Sequence, residues 1–211
     1  MPHENLDRYE SLLTFLRERR SIRRFTPEPL PAGTIERLIE AARWAPSASN
    51  RQPFRFLAVE AAETRSRMAT LVREALKQGI ANLPQGAQTA AESYAEDFVR
   101  FESAPLLLVA YHRGENPLAE RLGLSGERDV GALSSVSAAI MNLLLAAHAL
   151  GLGACWMTGA LAAGSAIESL LGIPAGWRLS ALIPVGVPAE SPTPPSRRTV
   201  AQLLARIGGP R

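Results

Sequence analysis

The stretch VGALSSVSAAIMNLLLAAHALGLG, residues 130–153, decides how the chain folds. From Val130 to Ile167 there is no Asp, Glu, Lys or Arg, a run longer than the ~20 apolar residues that span a bilayer. Ser134, Ser135, Ser137, Asn142 and His148 make it polar in places, and Gly151-Leu152-Gly153 breaks it. No cluster of Lys or Arg flanks either end, as cytoplasmic anchoring favours. The stretch therefore reads as the central helix of a globular protein, from about Val130 to Leu150 with Gly151 as C-cap, buried on all sides by its own domain and a second subunit. His148 on this helix reads as a hydrogen-bonded core residue.

On the N-terminal side, Tyr9, Leu12, Leu13 and Leu16 recur at helical spacing and mark an amphipathic first helix. It delivers the run Arg19-Arg20-Ser21-Ile22-Arg23-Arg24-Phe25 at its C-terminal end, where cations complement the helix dipole. Pro27, Pro29 and Pro31 force an extended connection. Thr34 then reads as the N-cap of a helix with Ile35, Leu38, Ile39 and Ala42 on one face, ended by Pro46. Phe54 to Val59 reads as a strand. Met68, Leu71, Val72, Ala75 and Leu76 define a further helix, and Thr89 to Phe101 another, with Gly79 to Gln88 as the link. Leu106 to Tyr111 reads as a buried strand, and Arg113 to Asp129 as a loop over a site.

After the central helix come Cys155-Trp156-Met157-Thr158-Gly159, a short helix with Ile167, Leu170 and Leu171, and a strand from Leu179 to about Val187. Pro184 within that strand points to an edge or a bulge. Residues 188–211 form a proline-rich arm ending in Ser196-Arg197-Arg198 and an apolar Val200, Leu203 and Leu204. Such an arm either wraps a partner subunit or frays. Few strands separated by long helices leave α/β or α+β, with residues 1–211 as one domain.

The bulk numbers are those of a globular protein. Of 211 residues, 46% are hydrophobic and 20% charged, with a net charge of +3. That excess is small, and no zinc-finger, RNP or basic-zipper pattern accompanies it, so no nucleic-acid partner is expected. Cys155 is the only cysteine, which excludes an intramolecular disulfide and fits a reducing cytoplasm. No signal peptide is visible at the N-terminus, and no membrane partner is expected.

Common catalytic signatures are missing. There is no G-x-G-x-x-G after a strand, no phosphate-cradling G-x-x-x-x-G-K-[ST] and no G-x-S-x-G, and His3, His112 and His148 lack metal-ligand spacing, so no metal is expected. Cys155 reads as a buried, inert thiol. Any chemistry would then belong to a cofactor. Guanidinium forks with a hydroxyl between them, at Arg19, Ser21 and Arg23, suit a phosphate. The polar loop Pro46-Ser47-Ala48-Ser49-Asn50-Arg51-Gln52-Pro53 suits the edge of a planar heterocycle, since the Asn50 amide both donates and accepts. Together they point to a phosphorylated aromatic cofactor. Arg24 reads instead as a solvated charge.

Four segments in order, Arg19 to Phe25, Ala45 to Phe54, Met141 to Gly159 and Ser196 to Arg198, resemble the FMN-dependent nitroreductase family over nearly the whole chain. The resemblance implies an α+β fold, a three-layer α/β/α sandwich, in an intertwined homodimer with FMN at two interface sites. By it, Arg19, Arg20, Ser21, Arg23, Arg197 and Arg198 would hold phosphate and ring. Pro46, Ser47, Ala48, Ser49 and Asn50 would reach the flavin from the other subunit, and Trp156, Met157, Thr158 and Gly159 would lie against the ring. NADH or NADPH would reduce the flavin and leave, and a nitroaromatic, quinone or related small acceptor would take its place, with no catalytic side chain from the protein. Relatives with other chemistry, such as dehalogenation, desaturation or flavin fragmentation, and a flavin-binding protein without turnover, are the alternatives. Many relatives carry an acidic residue at Thr158, a proline at Trp156 and a tryptophan at Phe54.

Overall fold

A four-stranded antiparallel sheet in the order β1-β2-β4-β3 separates two layers of helices. The computed structural model of the chain describes residues 3–114, 121 and 130–208. Its helices are α1 (His3–Glu18), α2 (Thr34–Arg43), α3 (Ala62–Ala81), α4 (Gln85–Glu96), α5 (Val130–Ala149), α6 (Gly164–Leu171) and α7 (Val200–Leu203). The strands are β1 (Phe54–Val59), β2 (Leu106–Arg113), β3 (Gly153–Ala154) and β4 (Trp177–Gly186). The expected loop over 113–129 lies outside the described residues apart from Arg113, Gly114 and Arg121.

Side-chain alternation along β2 divides the core. Leu106, Leu108 and Ala110 face α2 and α5, where they meet Leu38, Ala42, Val136, Ile140 and Leu143. Leu107 and Val109 face the opposite layer, where Met68 and Val72 of α3, Phe101 and Ile167 pack. The period of two makes this division obligatory, since successive side chains leave a strand on opposite faces. Each fully buried Leu, Ile or Phe contributes about 1.5–3 kcal/mol, so the fold rests on both layers.

Several local expectations change. Helix α5 keeps its expected length, but the chain buries only one side of it: Val130 and Leu133 are exposed, and Met141 and Leu145 are half-covered. Full burial would need a second molecule. His148 is half-buried rather than in the core, with its ring 4.7 Å from that of Phe15 on α1. Thr34 is the first residue of α2 and not its N-cap. Gly33 holds that position at φ 75°, a conformation that suits glycine, and the Thr34 hydroxyl donates to the Pro31 carbonyl at 2.6 Å. The link between α3 and α4 shrinks from 79–88 to 82–84 because both helices run further than their apolar faces.

Pro184 lies in β4, which has a neighbour on each side rather than forming the sheet edge. In an antiparallel strand a residue's N–H and C=O point to the same neighbour. The Pro184 carbonyl accepts from the Cys155 N–H at 3.3 Å, so the missing donor is on that same side, facing Cys155. This interrupts the ladder between Gly153–Ala154 and the bridge of Met157 to Leu182. A true bulge occurs elsewhere, between Ala110 and Tyr111 of β2 opposite Ser180. There the buried Ser180 hydroxyl and His112 Nδ1 are 2.7 Å apart.

Candidate functional site

The arginine run is held as an extra, irregular strand along the sheet. Ser21 pairs with Ala154, and the Ile22 N–H donates to the Ala154 carbonyl at 3.0 Å. Further on, Thr26 N–H donates to Val187 and Ala189 N–H to Arg24, so the strip passes from β3 to the start of the C-terminal arm. Gly153 permits the approach: a Cβ there would lie 2.7 to 3.0 Å from the Ile22 side chain. At the changeover, Arg23 N–H and Arg24 N–H both donate to one Glu190 oxygen, at 2.6 and 3.1 Å.

Arg19, Ser21 and Arg23 converge on Cys155. Burial pushes the Cys155 thiol up from its usual range, opposed by the Arg23 charge, the Ser21 hydroxyl and the Arg19 charge, while Glu190 adds to the rise. Burial prevails, leaving a protonated, 1% exposed thiol at neutral pH. Immediately after it, Met157 is buried and exchanges two backbone hydrogen bonds with Leu182, at 2.9 and 3.0 Å. This fixes Trp156, half-buried, and Thr158, exposed, on either side. Gly159 packs under the Phe98 ring, where a Cβ would overlap Phe98 atoms. Tyr94 of α4 meets Phe98 edge-on at 4.8 Å, so the α4 layer extends over this segment.

Three buried side-chain polar atoms have no partner among the described residues: Arg19 Nε, Thr26 Oγ1 and Trp156 Nε1. Buried polar groups are normally satisfied, and leaving one unpaired costs about 1–3 kcal/mol. Arg17, Arg19, Arg20 and Arg197 line a cavity of about 510 Å³ together with Glu18, Pro194 and Pro195. Arg20 is the least available of these, since its Nη1 already donates to the Arg17 and Arg19 carbonyls at the end of α1. Arg198 is exposed beside a capping box formed by Thr199 and Gln202.

The loop of Pro46, Ser47, Ala48, Ser49 and Asn50 is not part of this cluster. It sits at the opposite end of α5, where Ala48 N–H donates to Ser135 Oγ at 3.2 Å and Ala48 packs on Gly131. Arg19 and Arg20 instead share a cavity with Leu144 and His148. Thirteen residues of helix at 1.5 Å each separate Ser135 from His148, about 20 Å. The loop is strained and largely exposed. Ser49 and Asn50 hold φ 52° and Gln52 φ 48°, each at a cost of about 1–3 kcal/mol that concentrates at functional sites. Ser47 Oγ accepts from Gln52 N–H at 3.0 Å, and Gln52 Nε2 donates to Asn50 Oδ1 at 3.3 Å.

The sequence reading passed over Glu190, and it took Phe98 only as a packing residue of the helix from Thr89 to Phe101. Glu190 was marked by being the only acidic residue after Glu168. That Phe98 would pack on Gly159 had no local signal, since it depends on how the α4 layer lies over that segment.

Comparison with known proteins matches residues 16–187 to the model of the Nitroreductase family. A 5,6-dimethylbenzimidazole synthase of Rhodobacter capsulatus is 32% identical over 182 residues, covering 85% of this chain and 84% of the relative. An NADH dehydrogenase of Thermus thermophilus is 29% identical over 212 residues, covering 89% and 91%. A solved structure from Desulfovibrio desulfuricans, described as a nitroreductase in complex with FMN, is similar with a TM-score of 0.68 at 29% identity. The match covers 94% of this chain and 98% of that one.

Proposed function

Because the chain belongs to the nitroreductase family, we propose that it is an FMN-dependent oxidoreductase passing electrons from NADH or NADPH to a nitroaromatic, quinone or related small acceptor. The observation that carries this reading is Arg19 Nε, an unpartnered buried donor of a residue on the wall of the cavity lined by Arg17, Arg20 and Arg197, with Trp156 Nε1 as a second unpartnered buried donor. Such donors fit an anionic, heteroaromatic ligand, and no partner for them occurs among the described residues. FMN, when bound, would supply the two-electron redox chemistry. Arg19, Ser21 and Arg197 would hold its phosphate, with guanidinium forks that match phosphate geometry. Arg23 would place positive charge at the ring's pyrimidine edge, which favours the reduced anion. Trp156 to Gly159 would lie along the ring, and Phe98 and Tyr94 would restrict water and shape the acceptor's place.

The donor assignment is supported by the NADH dehydrogenase relative. A nicotinamide that only visits the flavin face also needs no dinucleotide-binding fingerprint. We assign no catalytic side chain, because no acid or base of the protein need take part.

The site is shared between two copies in this reading. The strained loop packs at Ser135 and Arg19 shares a cavity with His148, positions about 20 Å apart along α5, so in this reading a two-fold related molecule brings one copy's loop to the other's arginines. Uncovered apolar side chains support the same assembly: Leu6, Tyr9, Leu12 and Leu16 on α1 and Val200, Leu203, Leu204 and Ile207 on the arm are all exposed.

The test is the visible spectrum of the purified protein, the mass of any released chromophore, and anaerobic addition of NADH or NADPH. A yellow protein that releases FMN and bleaches supports the reading and identifies the donor. Colourless protein that ignores added FMN refutes it. The R. capsulatus relative, named as a 5,6-dimethylbenzimidazole synthase, favours a second reading with other chemistry, of which the family resemblance offers fragmentation of the bound flavin in oxygen. Loss of one flavin per event with no acceptor-dependent turnover would select it.

A further inference from the structure

We propose that Glu190 is the positioning residue that sets Arg23 toward the cofactor and locks the C-terminal arm to the cofactor site. The inference rests on the FMN reading above. Its basis is the backbone accounting of residues 21–26. Ile22 N–H is taken by Ala154, and Thr26 N–H by Val187, while Arg24 accepts from Ala189. Arg23 and Arg24 lie where the strip leaves β3 and joins the arm, and backbone partners for their N–H groups run out there. Both converge on Glu190 Oε1, at 2.6 and 3.1 Å. Two successive N–H groups on one anionic oxygen form a small nest, and hydrogen bonds to an ionised acceptor are roughly twice as strong as neutral ones.

The consequence reaches the site by two routes. The Arg23 Cα is fixed by its own N–H, so the guanidinium starts from a defined point and its charge falls on Cys155's surroundings as described. The arm is also fixed at Glu190, seven residues before Arg197, and Pro192, Pro194 and Pro195 stiffen the connection. One carboxylate thus couples the ring-side arginine to the phosphate-side arginine. Glu190 is the only acidic residue after Glu168 in the chain, and Glu18 lines a cavity with it but is not a hydrogen-bond partner of the Arg23 or Arg24 N–H.

The experiment measures FMN dissociation constants by flavin fluorescence for wild type, Glu190→Ala, Glu190→Gln, Arg23→Ala and the Glu190→Ala/Arg23→Ala double variant, with circular dichroism on each. Glu190→Ala weakens FMN at least about tenfold, equivalent to about 1.4 kcal/mol. Glu190→Gln keeps an acceptor oxygen and recovers most of the affinity. Adding Glu190→Ala to Arg23→Ala produces a smaller effect than in the wild-type background, because the route through the Arg23 guanidinium is already lost and only the route through the arm remains. Wild-type affinity in Glu190→Ala, or fully additive losses in the double variant, overturns the proposal. Failure of Glu190→Gln to recover binding, with a native circular dichroism spectrum, also overturns it. If wild type itself binds no FMN, the underlying cofactor reading fails instead.

Discussion

Gly153→Ala tests whether the arginine strip is held in place by its closeness to β3. A Cβ at this position would lie 2.7 Å from Ile22 Cγ2, 2.8 Å from Ile22 Cβ and 3.0 Å from Ile22 Cγ1. Ordinary carbon contacts are ~3.5–4.0 Å, so the deficit is roughly 1 Å. A rotamer change cannot remove it, because Ile22 Cβ is fixed to the backbone. The strip must move, stretching the 3.0 Å bond from Ile22 N–H to Ala154. Overpacking of this kind costs about 1–3 kcal/mol, which in a chain of this size lowers Tm by roughly 2–12 °C. Ser21 and Arg23 flank Ile22, so a 1 Å shift moves both, and FMN affinity falls at least about tenfold, the order of loss expected from such misplacement. The assays are a thermal melt without FMN and a fluorescence titration with it. Gly79→Ala, in α3 with nothing within 4 Å of the added Cβ, is the control and raises stability by about 0.5–1 kcal/mol. Wild-type Tm and FMN affinity in Gly153→Ala would refute the reasoning.

Other outcomes follow from the same geometry. Arg23→Ala and Asn50→Ala each lose FMN alone, whereas co-expressed subunits restore it in about a quarter of sites, because each mixed dimer holds one intact site; no recovery would exclude a shared site. Leu12→Glu on α1, exposed at 53%, yields a monomer by light scattering and weakens FMN, and a dimer that keeps full occupancy would remove α1 from the interface. The Cys155 thiol is raised by burial, chiefly, against the Arg23 charge. The folded state therefore holds its proton longer than the unfolded state, and stability is intact below the unfolded thiol value of about 8.5 and declines above it. Cys155→Ala flattens that alkaline decline, which a urea titration at pH 7.5 and 9.5 measures. Gly159→Ala drives into the Phe98 ring, disturbs the cover formed by α4, and changes acceptor KM more than FMN affinity.

The helices and strands were legible because their signals are local. The charge-free run at 130–149, the β1 run at 54–59 and the apolar faces of α2 and α3 carry period and composition within a few residues of themselves. Errors fell where a residue's role depends on a distant partner. Pro184 argued for an edge, yet its missing N–H faces Cys155 at an interruption in the ladder. His148 read as core because the helix around it is apolar, while its neighbours place it beside Phe15 and the arginine cavity.

By itself the sequence determined a chain of mixed helices and strands without an intramolecular disulfide, a central charge-free helix, and the residue types suited to a phosphorylated heterocycle, because those properties are written in composition and short-range spacing. Only the tertiary structure decided that Arg19, Ser21 and Arg23 gather about Cys155 while Asn50 stands at the far end of α5, and that Glu190 returns from the arm to hold two of their backbone amides. Those relations join residues from 87 to more than 160 positions apart. Chain folding brings them together through sheet register and the close approach at Gly153, neither of which has a local signature.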